Sequence, residues 1–303
     1  MSSVISVNGL TKDYGMGRGC FDVSFEVAKG EVFGFLGPNG AGKSTTIRHL
    51  LGFQKAQTGK CSIMGLDCWT QPKDVQGYLG YVAGEINYPD VKTGWQFLKM
   101  IAAMRGVSMD VAQKLCDYYQ LKPQGNLKRM SKGMKQKLAL IVAFMHDPEI
   151  YIFDEPTSGL DPLMQAKFVD HVLSEQSKGK TILMSSHIFE EVEKTCQRLA
   201  IIRNGKIVSQ MPMTDITHNK DKQFEVKFNT LSDMQSFSNL HYDFVEKNTD
   251  KTRVKVKVHD NQVNTFISDL SKLKVEYLSE IKITLEERFM EFYKDDTMKG
   301  GTL

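Results

Sequence analysis

The sequence predicts an α/β domain on a mainly parallel sheet, followed by a small α+β domain. Three observations carry that reading. Strand-length apolar runs alternate with helical patterns through residues 4–210. A Gly-rich turn, Gly37-Pro38-Asn39-Gly40-Ala41-Gly42, separates a buried strand from a helix. After Met211-Pro212-Met213 the order changes to strand, helix, strand, strand, helix, strand, the βαββαβ order of small α+β sandwiches.

Each element has its own signal. Val4–Val7 and Phe21–Val27 alternate apolar and polar residues, as half-buried strands do. Glu31–Leu36 is an almost unbroken apolar run, suited to a strand covered on both faces. Ser44–Leu51 reads as the helix after the Gly-rich turn. Leu79–Ala83, Ile150–Phe153, Thr181–Met184 and Leu199–Ile202 are further short buried strands. Between them, helical periodicity runs through Gly94–Arg105, Val111–Tyr119, Ser131–Met145, Pro162–Gln176 and Ile188–Cys196. The later strands are Gln223–Phe228, Asp243–Lys247, Arg253–Val258 and Val275–Ile281, with helices at Ser232–Asn239 and Gln262–Leu273. A last helix is expected at Thr284–Tyr293 and a loose tail at Asp295–Leu303. The expected domains are 1–212 and 213–303.

Composition excludes several classes. The 303 residues are 41% apolar and 25% charged, which is globular and neither disordered nor fibrous. Lys and Arg number 39 against 36 Asp and Glu, a net charge of +3. A nucleic-acid partner needs a concentrated basic face, so none is expected. The longest apolar run, Leu138–Met145, is far below the roughly 20 residues that span a bilayer. The N-terminal residues lack the basic and apolar regions of a secretory signal. Five scattered cysteines without zinc-site spacing read as buried thiols in a reducing compartment.

The chemistry begins at Gly37. Gly37 to Thr45 fits G-x-x-x-x-G-K-[ST] between a strand and a helix. Gly37, Gly40 and Gly42 let the backbone wrap phosphates closely, with Asn39 in the same turn, and the following helix adds its positive end. Lys43 reaches the β- and γ-phosphates, and the Ser44 hydroxyl, followed by Thr45, ligates Mg²⁺. Alone, the loop says only purine nucleotide. Ile150-Tyr151-Ile152-Phe153-Asp154-Glu155 is an apolar strand ending in two carboxylates. Asp154 is placed to hold Mg²⁺. Glu155 is placed to polarise or orient the attacking water. Ser131-Lys132-Gly133 opens a helix with Ser131 at the N-cap; taken alone it describes only a capped helix.

Together, these motifs resemble the nucleotide-binding subunit of ATP-binding-cassette (ABC) transporters, whose signature is Leu-Ser-Gly-Gly-Gln. Met130–Met134 is this chain's version; it keeps Ser131 and Gly133 but has Lys132 at the first glycine and Met134 at the glutamine. The resemblance covers about residues 4–210 and implies a P-loop NTPase cassette. It makes Tyr14 the aromatic that stacks on adenine. Ser158-Gly159-Leu160-Asp161 looks like the D-loop at the dimer interface, and Ser185-Ser186-His187 like the switch histidine. The family's usual glutamine after Leu79–Ala83 is replaced by Gly84, and the adjacent Glu85 is available to bind Mg²⁺ or water in its place. The spacing is similar to bacterial ABC-2-type exporters. The implied function is an ATP-hydrolysing motor using ATP and Mg²⁺, with Ser131 and Gly133 facing the nucleotide of a second subunit in a head-to-tail dimer. The implied partners are integral membrane permease subunits, with Gly94–Tyr119 receiving them. The implied location is the cytoplasmic face of the cell membrane. A soluble regulatory or immunity ATPase of the same type is the alternative. In the tail domain, Arg253, Lys255 and Lys257 alternate with valines, which suits either a solvated face or an acidic partner.

Overall fold

The alternation in the first 30 residues becomes an antiparallel pair in the computed structural model, β1 (Ser3–Asp13) and β2 (Gly19–Ala28). The structure describes residues 2–217, 221–281 and 285–294. β1 runs well beyond Val4–Val7 because register shifts at Val7/Leu10 and Leu10/Lys12 break its two-residue period while the pairing continues. β3 (Val32–Leu36) is buried at every residue and leads through the Gly-rich turn into α1 (Lys43–Leu50). Next come β4 (Thr58–Ile63), β5 (Leu66–Asp67) and α2 (Pro72–Gly77). These carry little sequence signal, since Thr58-Gly59-Lys60 is polar and exposed and β5 has two residues. The chain continues through β6 (Leu79–Val82), α3 (Gly94–Arg105), α4 (Met109–Tyr118), α5 (Lys132–Phe144) and β7 (Ile150–Asp154). It then forms α6 (Pro162–Ser177), β8 (Thr181–Ser186), α7 (Phe189–Thr195), β9 (Arg198–Arg203) and β10 (Lys206–Pro212).

A six-stranded sheet has the order β10-β9-β3-β8-β7-β6. Its five strands from β9 to β6 are parallel, and β10 closes one edge antiparallel to β9. β10 alternates exposed and half-buried residues, which weakens its sequence signal at the domain boundary. A second, antiparallel sheet runs β2-β1-β4-β5. Phe25 of β2 stacks on Phe33 and Phe35 of β3 at 5.3 Å between centroids, so the two sheets share one core. Each fully buried Phe contributes about 1.5–3 kcal/mol of transfer free energy.

The chain divides into two compact units, Met1–Met213 and Thr214–Leu303. The second contains α8 (Thr214–Thr217), β11 (Asp221–Phe228), α9 (Leu231–Ser238), β12 (Asp243–Asn248) and β13 (Arg253–His259). It ends with α10 (Val263–Leu270), β14 (Val275–Ile281) and α11 (Leu285–Lys294). The expected tail at Asp295–Leu303 and the first residue of the expected last helix, Thr284, lie outside the described residues. The strands form one antiparallel sheet in the order β12-β13-β11-β14, a split βαβ arrangement. α10 is shorter than its periodicity predicts, because Gln262 belongs to a 3-10 turn before it and Ser271–Leu273 turn toward β14 after it. Val254, Val256 and Val258 enter the core with Phe228, Phe237 and Phe266. On the other face Arg253 pairs with Glu225 at 2.9 Å and Lys255 with Glu246 at 2.7 Å. Two of the three basic residues on that strand are thus met by carboxylates of their own sheet. Such exposed pairs contribute about 0–1 kcal/mol each.

Among the described residues, no helix is long and apolar enough to cross a membrane. All five cysteines are buried free thiols.

Candidate nucleotide site

Parallel strands end on the same edge of a sheet, and this edge collects the chemistry. Leu36 lies opposite Ser186, and Asp154 opposite Ser185. The turns that follow β3, β7, β8 and β6 therefore emerge side by side, bringing the phosphate loop, Asp154-Glu155, His187 and Gly84 to one place.

The loop's shape follows from its glycines. A Cβ on Gly37 would come within 2.4 Å of the Ile202 carbonyl, and Gly42 has φ +107° and lies against the Gly19 carbonyl. Any side chain at either position collides with backbone. Pro38, Asn39 and Gly40 are exposed, while Ser44 and Thr45 are half-buried at the start of α1. Lys43 is 5% exposed. Its ammonium donates to the Gly37 carbonyl at 2.6 Å and the Pro38 carbonyl at 3.1 Å. It also lies 3.6 Å from Glu155 Oε1. Burial pulls the Lys43 pKa below its ordinary value, and the Glu155 and Asp154 carboxylates oppose that fall.

Glu155 joins three of the predicted residues. Its Oε2 lies 3.4 Å from His187 Nδ1, across from the contact to Lys43. Its backbone has φ +50°, an uncommon left-handed conformation for a residue with a Cβ. Its N–H donates to the Ser185 carbonyl at 3.1 Å and to Ser185 Oγ at 3.2 Å. Asp154 is buried, and Ser185 Oγ donates to its Oδ1 at 2.6 Å. Its Oδ2 faces the cradle left by Gly84, where a Cβ would lie 3.2 Å away. The Ser44 hydroxyl and a buried carboxylate oxygen are hard donors, the class that Mg²⁺ takes. Among the described residues no three His, Cys, Asp or Glu side chains form a metal cage of their own. Glu85 is exposed and makes no ion pair among the described residues.

The remaining predicted residues stand apart from this cluster. Ser131 caps α5, its hydroxyl accepting from the Met134 N–H at 3.2 Å, and is exposed. Gly133 packs against the D-loop backbone, where a Cβ would meet the Gly159 carbonyl at 2.7 Å. Asp161 caps α6 by accepting from the Met164 N–H at 3.0 Å, with Pro162 next. Tyr14 follows β1, is 45% exposed, and donates to Gln54 Oε1 at 2.6 Å with the Lys12 ammonium 5.7 Å from its ring.

Sequence reading misses three supports of the site. Gln136 is 2% exposed and donates from Nε2 to the Pro156 carbonyl at 2.6 Å, tying α5 to the Glu155 turn. Its only sequence signal is an uncharged polar residue between Lys135 and Lys137. Ser185 holds Asp154, as above. Glu191 on α7 is buried, accepts from Ser186 Oγ at 3.1 Å, and has its carboxyl pKa raised by burial.

Comparison with known proteins identifies the family. The model of the ABC transporter family matches residues 20–158. A second model, described as "AAA domain, putative AbiEii toxin, Type IV TA system", matches residues 126–193 within the same cassette. The chain is 30% identical over 298 residues to an uncharacterized ABC transporter ATP-binding protein, YhcH of Bacillus subtilis, with 96% of both chains covered. It is 30% identical over 310 residues to the bacitracin transport ATP-binding protein BcrA of Bacillus licheniformis, with 100% of both covered. A solved ATP-binding subunit of an ABC transporter superposes with a TM-score of 0.64 at 31% identity, covering 71% of this chain and 92% of that one. The chain belongs to the ATP-binding subunits of ABC transporters, a family of ATPases.

Proposed function

We propose that ATP and Mg²⁺ bind at the C-terminal edge of the parallel sheet, and that two chains close head to tail around two nucleotides. That closure drives export through separate integral membrane permease subunits, with this chain at the cytoplasmic face of the membrane. The observation that carries the reading is Glu155, held 3.6 Å from Lys43 Nζ and 3.4 Å from His187 Nδ1. A carboxylate there accepts a proton from water while His187 orients that water and Lys43 offsets the charge of the γ-phosphate. Phosphate oxygens are stronger acceptors for the Lys43 ammonium than the two carbonyls it now binds. Ser44 and Asp154 would hold Mg²⁺, which supplies charge neutralisation at the β- and γ-phosphates. Glu85 adds a further oxygen donor beside Gly84. Tyr14 offers its ring to adenine, from a turn whose far end, at Gly19, abuts Gly42.

Dimerisation follows from the exposed half. Ser131 caps a 13-residue helix whose first amides follow two exposed residues, Ser131 and Lys132, neither of them bonded to Lys43, Glu155 or His187. Those amides suit an anion brought by a second copy. The permease reading is supported by Met100 and Met104 on α3, exposed by 37% and 75%, and by the full-length match to a bacitracin transport protein.

Glu155→Gln tests the sandwich. It is expected to bind ATP, lose about 100-fold or more in turnover, and form a dimer in saturating ATP–Mg²⁺ by light scattering. A monomer under those conditions overturns the model. The match to a toxin–antitoxin ATPase model favours a second reading, a soluble ATPase without transport. Co-purification with an integral membrane protein separates the two.

A further inference from the structure

The first glycine of the family signature is replaced by Lys132, and the structure gives that lysine a specific contact. Its ammonium donates to Ser158 Oγ at 2.8 Å, across 26 residues of sequence. Its stem crosses Gly159: a Cβ on Gly159 would meet Lys132 Cδ at 3.0 Å and Cγ at 3.1 Å. Gly159 also has φ +82°, a backbone conformation that favours glycine. Immediately beside this contact Gly133 passes close to Gly159: a Cβ on Gly133 would lie 2.7 Å from the Gly159 carbonyl. One turn further along α5, Gln136 holds the Pro156 carbonyl. The start of α5 thus grips the 155–159 turn at three points.

That turn begins at the proposed catalytic carboxylate. The Ser158 N–H donates to the Glu155 carbonyl at 3.2 Å, so a force on Ser158 acts on the Glu155 backbone through one tight turn. Glu155 is held in an uncommon conformation, and only a surrounding framework keeps such a residue in place. Lys132 and Ser131 are adjacent, so the same helix end carries both the clamp and the cap that would face a second nucleotide.

We infer that Lys132 is a positioning residue for the ATPase reaction: through Ser158 it fastens the signature helix to the turn that aims Glu155. The chain's departure from the family signature therefore exchanges a flexible glycine for a clamp within one subunit. The contact is solvent-exposed, so it sets geometry more than fold stability.

This rests on the ATPase site proposed above, and its test separates the two. Steady-state ATP hydrolysis with Mg²⁺ and binding of a fluorescent ATP analogue are measured on the full chain for wild type, Lys132→Ala, Lys132→Arg, Ser158→Ala and the double variant. Lys132→Ala is expected to lower kcat about tenfold with KM and analogue affinity within twofold of wild type. Lys132→Arg, which keeps the donor, restores more than half of the lost rate. Ser158→Ala matches Lys132→Ala, and the double variant is no worse than either single one, as for one shared contact. An unchanged kcat in Lys132→Ala, or additive losses in the double variant, overturns the clamp. A wild type whose hydrolysis does not depend on Lys43 overturns the site itself.

Discussion

The two halves of the proposed nucleotide site are built in opposite ways. The catalytic half converges within one chain around a buried base: Lys43 and Asp154 are 5% and 4% exposed, and Glu155, half-buried, lies between Lys43 and the exposed His187. The signature half is exposed, and Ser131 satisfies only its own helix. In the first half Lys43 already faces a carboxylate before any ligand arrives. The second has free amides and no partner of opposite charge among the described residues. A helix N-terminus left open in this way becomes useful when a second molecule brings the anion. The difference teaches why the proposed site needs two chains: the Lys43–Glu155–His187 cluster forms within one chain, while the Ser131 end of α5 stays outside it.

Three substitutions probe that contrast. The largest effect is expected in the buried half. Lys43→Ala should reduce ATP turnover by about 100-fold or more by removing the cation from the γ-phosphate position. A rate within threefold of wild type would remove the phosphate-loop assignment. A smaller effect is expected in the exposed half. Ser131→Ala should cost about 1 kcal/mol of local helix stability and lower turnover about tenfold, with nucleotide affinity of the single chain unchanged. If single-chain affinity fell as well, the two halves would share a nucleotide within one chain and the contrast would fail.

The third substitution leaves both halves alone. His171 stacks on Phe144 at 3.8 Å between centroids, and Tyr119 Oη lies 2.9 Å from its Nδ1. Burial lowers its pKa to about 4, with Glu175 opposing. The folded state therefore disfavours the protonated ring. The stability this contributes is complete above the unfolded pKa of about 6.5 and is lost as pH falls toward 4. The whole window represents on the order of 3 kcal/mol. His171→Gln should flatten the fall in Tm between pH 7 and pH 4 while leaving turnover at neutral pH near wild type. An unchanged acid limb would show that other groups set it.

Several site residues were legible because their chemistry is local. Gly37 to Thr45 forms a loop between its own strand and helix, and Asp154-Glu155 ends an apolar run that can only be a buried strand. Ser131 could be read as a cap because a cap acts within three residues. Gln136, Ser185 and Lys132 were not legible as functional. Each acts on a residue 19 to 31 positions away, and nothing in their neighbourhoods marks the target. The alternating basic residues of β13 read as a solvated face over a small core; which carboxylates meet Arg253 and Lys255 was not legible, since these lie on other strands.

The sequence by itself determined most of the buried strands and the longer helices, the phosphate loop, the acidic strand end and the family resemblance, because periodicity and motif spacing are properties of contiguous residues. The tertiary structure alone decided which strands are neighbours. That order, β9-β3-β8-β7-β6, puts Lys43, Glu155 and His187 within ion-pair distance and sets Lys132 on Ser158. Such contacts depend on the register between strands and on how α5 meets the sheet edge, and those are fixed by packing the shared core.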